Sequence, residues 1–289
     1  MSLDTVRMFI IFCIVLSIYL HIQYHLKICN DLQLIEFDDV RNYDLNELDK
    51  IRQPLIFTKI PEDILLRIPE NSDADSKYED LEIGGVSNVY SCQKLNETQH
   101  EYCTKYGEFL RPTNAFSSYE IWTGKNSTTP MQYMLHCRFF LIPINESIRV
   151  KLTSPKFGSY LYPQTNMTNF TFTSETDVWD TNTSSNIDMI DIVVFPGQYL
   201  SIPPHWWFSI KYEDDATAKI LCCKYDTIMC MCANIRPYLL YGAHEIHKKT
   251  IECIEDPNLI VQSVNAIFAS TNRVQSYTTH LSDKEKKID

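Results

Sequence analysis

The sequence is poor in glycine and in positive charge. Its 289 residues include only seven glycines and carry a net charge of −11. No glycine-rich loop of the kind that cradles phosphate is present, and no basic stripe is available to neutralise a nucleic-acid backbone. A hydrophobic content of 44% with 12% aromatic residues nevertheless predicts one substantial folded core. These shortages argue against nucleotide-binding and nucleic-acid-binding functions.

The longest apolar run lies near the N-terminus, over residues 8–26, and begins MFIIFCIVLSIYL. It is about as long as the ~20 residues that a bilayer requires. We expect an uncleaved transmembrane signal anchor at 8–26, after a short cytoplasmic N-terminus at 1–7. A cleaved signal peptide is the alternative, although no small-residue cleavage site follows Leu20. Arg7 before the run and acidic residues such as Asp31 and Glu36 after it predict a type II orientation with a lumenal or extracellular body.

Six N-glycosylation sequons favour the same orientation, because such sites are used in lumenal or extracellular proteins. They are at Asn96, Asn126, Asn145, Asn166, Asn169 and Asn182. An intracellular-facing body with unused sequons and reduced cysteines is the alternative interpretation.

Ten cysteines suit either compartment. Cys92 and Cys103 flank a polar loop and are candidates for a disulfide. The run LCCKYDTIMCMC predicts a β-hairpin that turns near residues 225–226, so that Cys222 and Cys232 could pair across it or point inward as small apolar groups. Zinc is disfavoured in this run, because its spacing does not converge as a CxxC knuckle does.

The rest of the chain predicts a mainly β body. We expect a juxtamembrane segment at 27–50, a barrel domain at 51–235, a helical appendage at 236–270 and a polar tail at 271–289.

A short helix at 45–51 precedes the strand LIFT, and further helices are predicted from Pro61 and from Asp256. We expect the helix from Asp256 to pack either on the barrel or on a second copy of the chain. A homodimer formed through this helix is therefore one of the two alternatives. Short aromatic and β-branched runs between polar loops predict an antiparallel sandwich or barrel; they are YEIWTG, RFFLIPI, SIRVKLTSP, IDIVVFPG, QYLSIPP, WWFSIKY and AKILCCKY.

Four stretches resemble the JmjC/cupin-like Fe(II)- and 2-oxoglutarate-dependent oxygenases, in the branch that contains asparaginyl hydroxylases. The family has a W-x-G strand, a TPLHYD turn, a strand leading to LYP, and a GD-x-L-x-x-PP-x-WWH segment. The matching stretches here are IWTG (121–124), TPMQYM (129–134), KLTSPKFGSYLYP (151–163) and GQYLSIPPHWWF (197–208). The resemblance covers residues 115 to 235, and it implies a double-stranded β-helix with flanking helices.

The ligands of the family's iron do not carry over. On the family's pattern the first histidine falls on Gln132, the carboxylate on Met134 and the second histidine on Phe208. An amide is a poor ligand, a thioether is too soft for Fe(II), and a benzyl ring offers no lone pair. The lysine that pairs with 2-oxoglutarate falls near Ser147 or Ile148, neither of which can replace it. The resemblance therefore implies a member without cofactor or resident metal.

The remaining polar residues near these positions do not predict a replacement centre. We considered His136, His205, Asp188 and Asp191 as rescuing ligands. His205 is more simply a turn residue at the rim, and Trp206 and Trp207 should face opposite sides of their strand. The predicted lining of the barrel mouth is Leu135, His136, His205, Trp206 and Trp207. The pocket is either filled by apolar side chains or a small cavity for an apolar ligand or a partner's side chain.

These observations predict a single-pass type II membrane glycoprotein with a catalytically inactive ectodomain that acts in binding or structure, in a viral envelope or a lumenal compartment. The alternative is an active hydroxylase that uses Fe(II), 2-oxoglutarate and non-standard ligands.

Overall fold

The structure, a computed structural model, describes residues 3–59, 90–94, 100, 103–104, 110, 114–166, 171–180, 187–212 and 217–255. The predicted helix from Pro61 and the predicted helix from Asp256 lie outside these residues. The chain divides into two compact units, at residues 1–235 and 236–289, and each is described by itself.

The helices of the first unit are α1 (Leu3–Leu26), α2 (Leu45–Leu48) and α3 (Ile228–Ala233), with 3-10 helices at Val40–Asn42 and Pro155–Leu161. In the second unit, α4 spans Ile235–Glu255. The strands are β1 (Ile35–Asp39), β2 (Leu55–Lys59), β3 (Tyr90–Lys94), β4 (Phe116–Gly124), β5 (Ser127–Thr128), β6 (Gln132–Tyr133), β7 (Arg138–Pro143), β8 (Ile148–Thr153), β9 (Pro163–Asn166), β10 (Thr171–Ser174), β11 (Ile190–Val194), β12 (Tyr199–Ile202), β13 (Trp207–Tyr212) and β14 (Ala218–Asp226).

Helix α1 contains the apolar run. The candidate span Asp4–Leu26 contains an 18-residue window with a mean hydropathy of 2.1, and none of that window is buried. This helix is long and apolar enough to cross a membrane, and a signal sequence near an N-terminus has the same properties. The apolar N-terminal helix is therefore present, and its role as an anchor belongs to the proposal below.

The strands form two seven-stranded sheets. Sheet 1 has the order β1-β2-β12-β7-β14-β4-β3, and sheet 2 has the order β11-β8-β13-β6-β10-β9, with β5 also paired to β13. Strand β1 runs parallel to β2 and begins sheet 1 inside the segment that was predicted as juxtamembrane. All seven predicted strand runs from YEIWTG to AKILCCKY coincide with strands, as does LIFT.

The strand order shows how the sandwich is wound. Along the chain, β4, β7, β12 and β14 lie side by side in sheet 1, while β6, β8, β11 and β13 lie side by side in sheet 2. The chain passes back and forth between the two sheets as in a jelly roll. The predicted double-stranded β-helix is confirmed as a mainly β fold. No described strand belongs to both sheets, so the body is a two-sheet sandwich rather than a closed barrel.

Alternate side chains from the two inner faces fill the space between the sheets. Val150 and Ile210 of sheet 2 pack there against Leu141, Leu200 and further residues of sheet 1. A second apolar cluster covers the outer face of sheet 1 and includes Leu45 and Leu48 of α2. Because sheet 1 is buried on both faces, its strand β7 is apolar throughout except for Arg138, and all six of its residues are buried.

The predicted hairpin around residues 225–226 is wrong. After β14 ends, the Thr227 side chain accepts a hydrogen bond from the backbone N–H of Cys230 and caps α3. Cys222 therefore lies between the sheets, whereas Cys232 is exposed on α3. No disulfide joins them, and Cys103 is also a free thiol. The side chain of Cys92 lies outside what the structure describes.

Candidate functional site

The positions that the resemblance assigns to the iron ligands lie together in the fold. Gln132 of β6 and Phe208 of β13 are directly paired across the two strands, and Met134 follows β6 and packs against the core between the sheets. We call these three residues the interior position. The three residues therefore lie on, or directly after, two neighbouring strands of sheet 2.

The side chains at the interior position do not fit an iron ion. Phe208 is fully buried, with its ring centroid 5.3 Å from that of Phe139 and 6.4 Å from that of Trp122. The amide nitrogen of Gln132 is buried and has no hydrogen-bond partner among the described residues. A facial triad needs two imidazoles and a carboxylate with open positions for co-substrate and oxygen. One amide, one thioether and one phenyl ring supply none of the required donors.

The predicted rescuing residues do not gather around this position either. His136 Nδ1 lies 2.6 Å from Asp226 Oδ2. Asp191 binds Arg149 at 2.7 Å on an exposed part of sheet 2. Ile148, one of the two residues near which the family's co-substrate lysine falls, is buried in the core between the sheets.

The five residues predicted to line a barrel mouth do not share one opening. Trp206 is buried between the sheets, whereas Trp207 is buried on the outer face of sheet 2 with Met131 and Leu161. The prediction that the two tryptophans face opposite sides is confirmed, but Trp207 faces away from the predicted mouth, as strand alternation requires. His205 is in a turn, as predicted, and its φ is positive, at 65°. Burial lowers the pKa of its imidazole.

A different group of donor atoms gathers at one edge of the body. The Nδ1 atom of His25, at the end of α1, lies 3.8 Å from the Sγ atom of Cys137, between β6 and β7. With Cys230 Sγ on α3, the three atoms all lie within 4.8 Å of one another. We call His25, Cys137 and Cys230 the thiol–imidazole cluster. In the described part of the chain, it is the one set of three or more His, Cys, Asp or Glu residues that converge in this way.

The electrostatics of this cluster favour a thiolate. The neighbouring Cys230 thiol, and to a smaller extent His25, lower the pKa of Cys137 below its usual value against the opposing effect of burial. The pKa of Cys230 is correspondingly raised. A deprotonated thiol is both the nucleophilic and the metal-binding form of cysteine.

Sequence reasoning did not find this cluster. His25 and Cys137 are 112 residues apart in the chain, so no local motif links them. In the run LCCKYDTIMCMC, Cys222 lies between the sheets, Cys223 lies in the cluster on the outer face of sheet 1, and Cys232 is exposed. Cys230 is the member of that run that joins the thiol–imidazole cluster.

Three of the six sequons fall on described residues. Asn126 and Asn145 are exposed and Asn166 is half-buried. The side chain of Asn145 also donates a hydrogen bond of 2.7 Å to the carbonyl of Thr217. Asn96, Asn169 and Asn182 lie outside the described residues. Of the described sequons, Asn126 and Asn145 are therefore at the surface, and the Asn145 amide also accepts a hydrogen bond from the backbone N–H of Lys219 at 2.7 Å.

Comparison with known proteins supports a JmjC/cupin-like body. The chain is 29% identical over 180 residues to JmjC domain-containing protein D of Dictyostelium discoideum. The match covers 56% of this chain and 39% of that protein, so this chain spans about two fifths of the relative's length. No protein-family model matches the chain.

Among solved structures, the chain is similar to a vicilin and to an oxalate oxidase. A vicilin from Solanum melongena matches with 8% identity and a TM-score of 0.31 over 51% of this chain and 31% of that one. An oxalate oxidase bound to the substrate analogue glycolate matches with 11% identity and a TM-score of 0.29 over 49% of this chain and 53% of that one. The assignment of the fold here depends on the strand order and not on these low scores.

Proposed function

We propose that this chain is a single-pass type II membrane glycoprotein whose JmjC/cupin-like body acts in binding or structure without oxygenase catalysis. The observation that carries the proposal is the interior position. Gln132 and Phe208 lie at the positions that the resemblance assigns to the two imidazoles, and the fully buried ring of Phe208 packs against the rings of Trp122 and Phe139. The co-substrate lysine of the family falls near Ser147 or Ile148, neither of which can replace it, and this supports the same proposal.

The alternative function, an active hydroxylase with non-standard ligands, has less support. Fe(II) oxygenases use imidazole and carboxylate ligands, and the converging donors in the described structure are two thiols and one imidazole. That set is better suited to softer metals.

Iron content and 2-oxoglutarate turnover of the full chain, purified in detergent, test the absence of catalysis. We expect no stoichiometric iron and no succinate release above that of a buffer control. The variant Gln132→His/Met134→Asp/Phe208→His is the matched comparison, and we expect it to gain iron binding if the scaffold is intact. Stoichiometric iron with 2-oxoglutarate-dependent succinate in the natural sequence would refute the proposal.

The membrane and glycan parts of the proposal need separate measurements. Helix α1 supports anchoring, and the exposed sequons Asn126 and Asn145 support a lumenal or extracellular body. We expect the cellular protein to resist alkaline carbonate extraction and to shift on a gel after enzymatic deglycosylation. The variant Asn126→Gln/Asn145→Gln should shift less. No shift in the natural protein would remove the lumenal assignment.

A further inference from the structure

The thiol–imidazole cluster has the donor atoms of a zinc site, and the distance between two of its donors suits a zinc ion. Zinc binds cysteine sulfur at about 2.3 Å and histidine nitrogen at about 2.0–2.1 Å, so a tetrahedral ion separates neighbouring donors by roughly 3.5–3.8 Å. The observed distance of 3.8 Å between His25 Nδ1 and Cys137 Sγ agrees with this value. The third donor, Cys230 Sγ, is within 4.8 Å of both.

The backbone around both cysteines is fixed by side chains outside the cluster. The backbone N–H of Cys137 donates to Asp226 Oδ1 at 3.0 Å. The backbone N–H of Cys230 donates to Thr227 Oγ1 at 3.1 Å. The amide group of Asn234 lies 3.7 Å from Cys230 Sγ and donates to it. Such outer contacts orient metal ligands and tune their basicity.

The histidine is held by the body as well. The guanidinium group of Arg52 lies 5.1 Å from the ring centroid of Tyr24, and Arg52 Nη2 donates to the Tyr24 carbonyl at 3.5 Å. Tyr24 directly precedes His25. The end of α1 is therefore tied to the same edge of the body as Cys137 and Cys230, and helix α1 also contacts α3.

An open pocket of about 570 Å³ adjoins the cluster. Its lining includes His25 and Cys137 together with Tyr24, Asp49 and Arg52. Zinc sites with three protein ligands keep their fourth position for water or for an incoming ligand. The pocket provides room for that fourth ligand.

We propose that His25, Cys137 and Cys230 bind one Zn²⁺ ion, with the fourth position open to the adjoining pocket. The ion joins the C-terminal end of α1 to the loop before β7 and to α3. Where α1 spans a membrane, this site fixes the body relative to the membrane surface. The proposal does not depend on whether the interior position is catalytic.

Zinc binding by the full chain in detergent, under a thiol-free reductant and with Zn²⁺ as the only added metal, tests this assignment. We expect mass spectrometry of the metal released from the purified protein to give one zinc per chain. The variants His25→Ala, Cys137→Ser and Cys230→Ser should each weaken binding by more than about 100-fold in competition with a chromophoric chelator. The matched control variants Cys29→Ser and Cys232→Ser remove thiols outside the cluster and should still bind one zinc.

A spectroscopic measurement keeps the test independent of folding defects in the variants. Cobalt(II) bound to the unmodified chain should give the visible absorption of a tetrahedral ion together with thiolate-to-cobalt charge transfer. Zinc should displace it. The absence of zinc from the unmodified chain, unchanged binding in Cys137→Ser and Cys230→Ser, or a Cys137–Cys230 disulfide in peptides alkylated without reduction would each overturn the proposal.

Discussion

The interior position and the thiol–imidazole cluster differ in what the scaffold and the side chains provide. At the interior position, paired strands hold Gln132 and Phe208 where ligands belong in the fold, but the side chains offer no suitable donors. At the cluster, three segments that are distant in sequence bring strong donors together at an edge. At the interior position the side chains contribute apolar volume to the core between the sheets, whereas at the cluster they contribute donor atoms.

The largest expected effect tests whether the interior position is now a packing position. We expect Phe208→Ala to lower the free energy of unfolding by about 3–5 kcal/mol, since it removes a fully buried ring from between Trp122 and Phe139 and leaves a cavity. Urea unfolding of the full chain measures this change. The control is Phe195→Ala, at a residue that is 54% exposed, which should change stability by less than about 0.5 kcal/mol.

A different result at Phe208 would change the comparison. A loss below about 1 kcal/mol would mean that the surroundings of the ring are already loose. The interior position would then be a cavity for an apolar ligand and not a filled core.

The sequence was sufficient to predict the sandwich because alternation of side chains carries the necessary information. Trp206, Phe208 and Ile210 point between the sheets, while Trp207 points to the other face, as a period of two requires. The resemblance in residues 197–208 assigned a ligand position to Phe208, and this residue is paired with Gln132 across β13 and β6. These features are local, and each can be read from a stretch of a dozen residues.

Helix α3 and the thiol–imidazole cluster, which the sequence patterns do not predict, depend on tertiary contacts. The helix α3 follows β14 directly, because Thr227 caps it and Cys230 is buried against the carbonyl of Leu135. The alternating cysteines of this segment suggested a strand instead. The thiol–imidazole cluster also could not be predicted, because it requires α1 to end against the loop that contains Cys137. No pattern in the sequence encodes that docking.

A second, smaller effect tests whether the Asp226 carboxylate stabilises the segment that contains Cys137. Asp226 accepts from the Cys137 backbone N–H at 3.0 Å and lies 2.6 Å from His136 Nδ1. We expect Asp226→Ala to lower the free energy of unfolding by about 1.5–3 kcal/mol, because it leaves both groups without this partner in a mostly buried site. Urea unfolding measures this change in the free energy of unfolding. The control Asp191→Ala breaks an exposed ion pair with Arg149 and should cost less than about 1 kcal/mol. Equal losses in the two variants would contradict the role of Asp226.

The smallest effect concerns the hydroxyl group of Thr227, which caps α3 and lies 4.0 Å from Cys137 Sγ. We expect Thr227→Ala to lower stability by about 1 kcal/mol, the usual value of a helix cap, and to weaken zinc binding by about tenfold because Cys230 is less well oriented. Thr227→Ser keeps the hydroxyl and should retain both properties. Chelator competition and urea unfolding measure the two quantities on the same samples. If Thr227→Ala weakened zinc binding as strongly as Cys230→Ser, Thr227 would itself be a ligand. If stability fell without any change in zinc affinity, the position of Cys230 would be fixed by the metal or by Asn234 and not by the cap.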